Sequence, residues 1–135
     1  MVPVHLVHAT EQGLLERGVA WQDGFVWQDK VLEETHLLGL AEQQNLPSGY
    51  LSEFSPAATA LVNSLALSLQ RGAIILIDYG FSAREYYHPQ RNQGTLMCHY
   101  QHHAHPDPLV NIGLQDITAH VDFTSVAYAG VNHGL

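Results

Sequence analysis

The sequence is short of several kinds of residue, and each shortage excludes a class of protein. Its 135 residues include one cysteine, Cys98, so no disulfide can form within the chain. Lys and Arg number 5 against 13 Asp and Glu, a formal net charge of −8, which argues against a partner that is a nucleic acid or an anionic membrane surface. The longest apolar run, residues 73–77, is far shorter than the roughly 20 residues of a membrane-spanning helix.

The sequence also lacks the short motifs of several common catalytic sites. No G-x-G-x-x-G, G-x-x-x-x-G-K-[ST], H-E-x-x-H or G-x-S-x-G occurs, so no phosphate-binding glycine loop, zinc-protease helix or hydrolase nucleophile is indicated. No basic stretch precedes an apolar run at the start, so we expect no signal peptide. With 135 residues, the chain is expected to form one domain at most. Because 46% of the residues are hydrophobic and 13% charged, that domain is expected to be globular and not disordered.

Histidine, in contrast, is abundant, with ten residues in the chain. Four of them lie between Cys98 and Asp107. As a strand, this stretch would place His99, His103 and His105 on one face, where three imidazoles would suit zinc. The stretch matches no standard zinc spacing, so histidines at the surface or in loops remain the simpler interpretation.

The first 30 residues predict antiparallel β-structure with a hairpin. Gly18–Gln22 and Phe25–Gln28 are β-prone runs. They flank Asp23-Gly24, a pair typical of a two-residue turn in which both residues need positive φ. We expect Trp21 and Trp27 on the same or adjoining faces of the hairpin, as cross-strand aromatic cover.

Residues 50–80 predict a helix followed by a buried parallel strand. Ser55 is a good N-cap, and Pro56 suits the first helical position. Apolar side chains then recur at helical spacing, at Ala58, Leu61, Val62, Leu65 and Leu69. The run Ala73–Ile77 is continuous and β-branched, which is typical of a parallel strand buried on both faces. Since a parallel strand needs neighbours, the chain suggests part of a larger sheet.

Acidic side chains fall where such a sheet would place a ligand cleft. Asp78 and Tyr79 follow the predicted strand, and clefts form at the carboxyl ends of parallel strands. Glu53, just before the helix, is expected to face the same cleft. His120 and Asp122 lie two residues apart and would form a pair on a strand. The structural alternatives are that Asp78 caps a turn and that Asp122 or Thr124 caps a final helix near residues 125–130. Residues 80–93 are expected to form a loop, and residues 95–100 a strand.

Several short strings in this half of the chain occur in one order. They are Asp78-Tyr79-Gly80, Gly94-Thr95-Leu96 with His102 shortly after, Asp107-Pro108-Leu109, and D-I-T-A-H-V-D-F over residues 116–123. With L-S-E-F-S-P at residues 51–56, they make the chain resemble the MidA-type S-adenosylmethionine-dependent methyltransferase family, once filed as a domain of unknown function. That family includes a mitochondrial complex I assembly factor that methylates protein arginine. The resemblance runs over nearly the whole chain.

The resemblance implies a fold and a cofactor. The fold would be α/β: the C-terminal part of a Rossmann-like class I methyltransferase sheet with a β-hairpin insertion. Residues 1–135 would be one partial domain, with a hairpin region at 1–30, a helix–strand unit at 50–80 and a substrate-side segment at 94–130. The family's glycine-rich loop for S-adenosylmethionine lies upstream of anything here. We therefore expect the main cofactor contacts outside this chain, no metal, and an isolated chain that is inactive.

The resemblance also implies which residues act. The acids expected to hold a guanidinium and accept its proton are Glu53, Asp78 and Asp122. The residues expected to bind substrate are Tyr79, His102 and His120. The substrate would be a basic, arginine-containing protein segment, which the acidic charge of the chain would attract. The expected compartment is the cytoplasm in a bacterium, or the mitochondrial matrix in a eukaryote.

Two functions of other classes remain open at this point. The chain could be a non-catalytic binding or assembly module that dimerises through the hairpin and an exposed sheet edge. It could also be a metal-binding domain built on the histidine cluster between Cys98 and Asp107.

Overall fold

The computed structural model describes residues 2–135, whose largest element is a four-stranded antiparallel sheet. Its strands, in spatial order, are β3 (Phe25–Val31), β2 (Gly13–Trp21), β1 (His5–Thr10) and β4 (Leu51–Phe54). The first three follow the chain as a meander, and β4 returns to pair with the free edge of β1. The antiparallel structure predicted for the first 30 residues is therefore confirmed, and it continues into β4.

The hairpin between β2 and β3 differs from the prediction in its turn. Trp21 pairs with Phe25, which leaves the three residues 22–24 in the loop instead of two. Asp23 and Gly24 both have positive φ, and the Gln22 amide donates to the Gly24 carbonyl at 2.8 Å, closing the loop one residue earlier than expected. Because Val19 pairs with Trp27, the two tryptophans share one face, as predicted. Much of that face is exposed to solvent.

The main core lies between this sheet and α1 (Thr35–Gln43). Its buried members are Val7, Leu32, Leu37, Ala41 and Phe54. This helix is nine residues long. It begins at Glu34, whose carboxylate accepts hydrogen bonds from the amides of Leu37 and His36, and these bonds lower the pKa of Glu34.

The longest helix, α2 (Pro56–Ser68), begins as the sequence predicts. The Ser55 hydroxyl oxygen accepts a hydrogen bond from the Ala58 amide at 3.2 Å. The same hydroxyl donates to the Pro3 carbonyl at 2.8 Å, which ties the helix to the N-terminal segment. Val62 and Ala66 are buried, and α2 packs against α4 (Phe123–Val131), the last helix.

The strand predicted at Ala73–Ile77 is wrong. These residues form no strand, and the side chain of Ile77 is 94% exposed. Within residues 2–135, parallel pairing occurs between β5 (Gly80–Phe81) and β9 (Val121–Asp122) and at an isolated bridge between Leu51 and Gln93. The physical reason is that a parallel strand needs a neighbouring strand to share its hydrogen bonds, and none of the described strands pairs with residues 73–77.

Residues 80–93, expected to form a loop, contain three short elements. They are β5, the helix α3 (Ala83–Tyr86) and a 3₁₀ turn at Pro89–Arg91. Gly80 permits the close approach of β5 to β9, because a Cβ there would lie 2.1 Å from the Val121 carbonyl oxygen. The prediction of a loop is therefore wrong, and this segment packs against α4.

The histidine-rich stretch forms part of a third sheet. Its strands, in spatial order, are β7 (His103–His105), β6 (Met97–Tyr100) and β8 (Asp116–Thr118). A tight turn at Gln101-His102 reverses the chain, so His105 pairs with Cys98 while His99 points to the opposite face. The predicted strand near residues 95–100 is confirmed, but the shared face of His99, His103 and His105 is wrong. No helix in residues 2–135 has the length and apolarity needed to cross a membrane.

Candidate functional site

A cleft lies where β4, α2, β9 and the start of α4 meet. Four of the six residues predicted for the site line it, namely Glu53, Asp78, His120 and Asp122. They come from distant parts of the sequence, and the fold brings them together. The cleft is lined in addition by tyrosines of α3 and by the first turn of α4.

Glu53 lies at the base of the cleft and is only 1% exposed. Its Oε1 accepts hydrogen bonds from the amides of Thr95 at 2.9 Å and Leu96 at 2.8 Å. Its Oε2 accepts from the Thr95 amide at 3.0 Å and from the Thr95 hydroxyl at 3.1 Å. A buried carboxylate is stable only with such partners, so Glu53 ties β4 to the segment before β6.

Tyr86 of α3 is a member of the site that the sequence analysis missed. It is 2% exposed, and its hydroxyl donates to the His120 carbonyl at 3.1 Å and lies 3.4 Å from Glu53 Oε2. Burial, and next the charge of Glu53, raise the pKa of Tyr86 well above its ordinary value, so the phenol stays protonated. The available signal was Ser82 followed three residues later by Glu85, a pattern that favours a helix start.

His120 presents the one imidazole in the cleft. Its backbone amide donates to the Thr95 hydroxyl at 3.0 Å, and its ring lies 5.1 Å from the ring of Phe81. The Arg91 guanidinium stacks over that Phe81 ring at 4.2 Å. Among the described residues, nothing forms a hydrogen bond with the buried Nδ1 atom of His120. A buried polar atom without a partner calls for an explanation, and a ligand in the cleft would supply one.

Asp122 caps α4 and lines the cleft at the same time. Its Oδ1 accepts hydrogen bonds from the amides of Thr124 at 2.9 Å and Ser125 at 3.4 Å. Its Oδ2 accepts from the Ser125 hydroxyl at 2.5 Å. Burial, and next the charge of Asp122, raise the pKa of the neighbouring Tyr87. The capping role considered for Asp122 from the sequence is confirmed.

Asp78 is exposed at the mouth of the cleft, where its Oδ1 accepts from the Tyr79 amide at 2.8 Å. The other two predicted residues do not line the cleft. The side chain of Tyr79 is 82% exposed, and only its backbone carbonyl contributes, by accepting from the Val121 amide at 2.8 Å. His102 is exposed in the turn between β6 and β7, where its φ is +67°.

A metal ion needs several ligand side chains close together, and S-adenosylmethionine needs a loop or helix start that can hold it. In residues 2–135, no group of three or more His, Cys, Asp or Glu side chains is arranged to hold a metal ion. Near the start of α2 the Ala58 amide bonds to the cap Ser55, and near the start of α4 the Thr124 and Ser125 amides bond to the cap Asp122. These amides are therefore already used within the chain, and no G-x-G-x-x-G loop precedes either helix. These residues do not form a cradle for S-adenosylmethionine by themselves.

Comparison with solved structures reveals two close relatives. A protein from Burkholderia thailandensis bound to S-adenosyl-homocysteine is 47% identical to the chain, with a TM-score of 0.90. A native crystal structure of a Burkholderia thailandensis protein is also 47% identical, with a TM-score of 0.91. Each match covers 98% of this chain, but only 35% and 36% of the respective neighbour. The chain therefore spans about a third of the length of either neighbour.

Two further comparisons concern sequence alone. No curated protein matches the chain. The family described as "Putative S-adenosyl-L-methionine-dependent methyltransferase" matches residues 1–135, which is the whole chain. The mixed α/β fold expected from the sequence agrees with the structural neighbours. The chain belongs to this S-adenosylmethionine-dependent methyltransferase family.

Proposed function

We propose that the chain forms the acceptor side of an S-adenosylmethionine-dependent methyltransferase of the MidA type, and that the acceptor is a protein arginine side chain. Residues 1–135 would then be the C-terminal half of a methyltransferase domain, and the cofactor would be held mainly by other residues. Membership of the family and a neighbour that binds S-adenosyl-homocysteine support the cofactor. The arginine acceptor is supported by the charges of the cleft.

The observation that carries the proposal is the lack of a cation among the cleft acids. On the hairpin strands, two carboxylates are paired: Asp29 with Arg17 at 2.7 Å, and Glu16 with Lys30 at 3.2 Å. In the described residues, no Lys or Arg forms an ion pair with any of the three cleft acids, which are Glu53, Asp78 and Asp122. An arginine from a substrate would supply the missing cation, and its planar guanidinium matches carboxylate geometry.

The two accessible acids and His120 have separate roles in this proposal. S-adenosylmethionine, when bound, supplies an electrophilic methyl group to the acceptor nitrogen. That nitrogen must lose a proton as it is methylated, and in this proposal the Asp122 carboxylate or His120 Nδ1 accepts it; both residues line the cleft, and Nδ1 has no other partner among the described residues. Asp78, at the mouth of the cleft, would bind a second nitrogen of the guanidinium and so orient the group.

A chimera tests the arginine acceptor. The chain would replace the corresponding segment of the Burkholderia thailandensis protein that binds S-adenosyl-homocysteine, at 47% identity. We expect the chimera to bind S-adenosyl-homocysteine in calorimetry and to methylate an arginine peptide, but not the matched lysine peptide. A chimera that binds S-adenosyl-homocysteine but methylates the lysine peptide would contradict the proposal.

The variant Asp122→Asn then separates proton transfer from folding. Asn is as good an N-cap as Asp, so helix α4 should persist while the charge is lost. We expect the methylation rate of the arginine peptide to fall by about 10²-fold or more. The matched control is Asp116→Asn, because Asp116 is an exposed residue of β8 that does not line the cleft. Equal rates in the two variants would argue against a role for Asp122.

The isolated chain provides a second test of the same proposal. Because its own residues form no cradle for S-adenosylmethionine, we expect calorimetry of the 135-residue chain with this compound to show no binding in the micromolar range. Micromolar binding would contradict the assignment of the main cofactor contacts to residues outside the chain.

A second candidate function, a non-catalytic assembly module, is favoured by one observation. One face of the β2–β3 hairpin exposes the side chains of Val19, Trp21, Phe25 and Trp27. Such an apolar face favours association, and a second copy of the chain is the occupant that we propose. Light scattering should then show a dimer that Trp21→Ser weakens, whereas a monomer at high concentration would exclude this function.

A further inference from the structure

We propose that Glu53 is a positioning residue that fixes the backbone of His120, acting through Thr95, and that it is not itself a proton acceptor of the site. The family resemblance implies that Glu53 is one of the catalytic acids. This inference rests on the proposed function in one respect only, which is that His120 contacts the substrate. The arrangement of hydrogen bonds can be tested without that function.

The Glu53 carboxylate is already engaged by groups of the protein on both of its oxygens. It offers about four lone-pair sites, and three donors of Thr95 and Leu96 make four contacts with them, because the Thr95 amide contacts both oxygens. The hydroxyl of Tyr86 lies a further 3.4 Å from Oε2. With the side chain 1% exposed, a guanidinium at the cleft surface cannot reach these oxygens.

Gly94 makes the close approach of this carboxylate to the backbone possible. A Cβ at Gly94 would lie 2.3 Å from Glu53 Oε1, so any other residue would displace the carboxylate. Gly94 also has a φ of +75°, which L side chains rarely adopt. The string Gly94-Thr95-Leu96 is thus shaped around Glu53, although the residues are about 40 positions apart in the sequence.

The Thr95 hydroxyl connects Glu53 to the backbone of His120 by two hydrogen bonds. It donates its single proton to Glu53 Oε2 at 3.1 Å, which leaves a lone pair to accept the His120 amide at 3.0 Å. The charge of Glu53 therefore sets the direction of the Thr95 hydroxyl. On the other side of His120, the Tyr86 hydroxyl donates to the carbonyl at 3.1 Å.

Both backbone polar groups of His120 are thus held by side chains that contact Glu53. The imidazole is confined further by the Phe81 ring, 5.1 Å away. With the backbone fixed on two sides, the His120 residue is held at the cleft, and its buried Nδ1 has no partner among the described residues. Preorganisation of this kind lowers the entropic cost of binding or reacting with a ligand.

NMR of the ¹⁵N-labelled 135-residue chain tests the arrangement directly. In Glu53→Gln and Thr95→Val, we expect hydrogen exchange of the His120 amide to accelerate at least tenfold and the His120 ring nitrogen signals to shift. Thr95→Ser keeps the hydroxyl and should restore wild-type behaviour. Glu11→Gln, at an exposed turn residue, is the matched charge control and should change neither signal.

The same measurements can overturn the inference. If Glu53→Gln or Thr95→Val folds and leaves both the exchange of the His120 amide and its ring signals unchanged, Glu53 does not position His120. Should Glu53→Gln fail to fold, Thr95→Val and Thr95→Ser still decide, because they remove or keep the connecting hydroxyl without changing the charge.

A double-mutant cycle tests whether Glu53 affects ligand binding through His120. The probe is acetyl-arginine amide, and its Kd is measured by NMR titration of the wild type, Glu53→Gln, His120→Ala and the double variant. We expect Glu53→Gln to weaken binding severalfold in the wild-type background and to change Kd less than twofold in the His120→Ala background. An equal loss in both backgrounds would overturn action through His120. If the wild-type chain does not bind acetyl-arginine amide, the proposed arginine acceptor is contradicted. Hydrogen exchange of the His120 amide still decides whether Glu53 positions His120.

Discussion

The N-terminal sheet and the segment at residues 73–79 are built from similar apolar side chains, yet only the sheet buries them. Val7 in β1 is 0% exposed, whereas Ile77 is 94% exposed. β1 has a strand on each edge and α1 against one face, whereas residues 73–77 have no strand partner among the described residues. An apolar sequence favours burial, but neighbours that satisfy the backbone decide whether burial occurs.

The comparison predicts the largest effect in the core under the sheet. Leu37 is buried against the inner face of the sheet, so Leu37→Ala should lower the free energy of unfolding by about 2–5 kcal/mol. Denaturant unfolding monitored by circular dichroism measures this. A loss below about 1 kcal/mol would mean that α1 does not cover the sheet as described.

A smaller effect is expected where the sheet region meets α2. Ser55→Ala removes the acceptor for the Ala58 amide and the donor to the Pro3 carbonyl, so unfolding should become easier by about 1 kcal/mol. The matched control is Ser64→Ala in the same helix, whose hydroxyl bonds only to the Ala60 carbonyl on an exposed face. Equal losses in the two variants would argue against the cap.

A third prediction concerns the pH dependence of the hairpin. The hydrogen bond from Arg17 is the largest cause that lowers the pKa of Asp29, and His8 adds to it. A carboxyl whose folded pKa is lowered contributes stability above its unfolded pKa of about 4, and this is lost as pH falls through the folded value. The side chains are partly exposed, so the effect should stay below about 1 kcal/mol. Denaturant unfolding at pH 6 and pH 3 should show a smaller decrease for Asp29→Asn than for the wild type; equal decreases would contradict the prediction.

The smallest effect is expected in the exposed segment. Ile77→Ser should change the free energy of unfolding of the chain by no more than about 0.5 kcal/mol, because the side chain is already in solvent. The same denaturant series used for Leu37→Ala provides the comparison. A loss as large as that of Leu37→Ala would show that residues 73–79 are buried, and would remove the contrast between the two regions.

What the sequence predicts correctly is mostly local chemistry. Asp23 and Gly24 in the hairpin loop, Ser55 before Pro56, and Asp122 before α4 each act within a few residues of their own position. Their side chains satisfy nearby backbone groups, so the pattern alone is sufficient. The number of residues in the hairpin loop was still missed, because the pairing of Trp21 with Phe25 also depends on the strand register.

What the sequence does not predict depends on contacts between distant residues. Tyr86 was overlooked because its partners, Glu53, Thr95 and His120, are 9 to 34 positions away. His102 was assigned to the site by resemblance, but the turn it occupies takes it to the surface. The run Ala73–Ile77 has the composition of a buried strand, and composition does not reveal whether a neighbour is present.

The contrast between paired and unpaired acids leads to the most direct test of the function. Glu16 and Asp29 on the hairpin have cationic partners within the chain, whereas Asp78 and Asp122 have none among the described residues. The measurement is mass spectrometry of matched arginine and lysine peptides after reaction with the chimera and S-adenosylmethionine. Methylation of the arginine peptide alone, reduced about 10²-fold by Asp122→Asn, is the predicted result. A chimera that binds S-adenosyl-homocysteine but leaves the arginine peptide unmodified would contradict it.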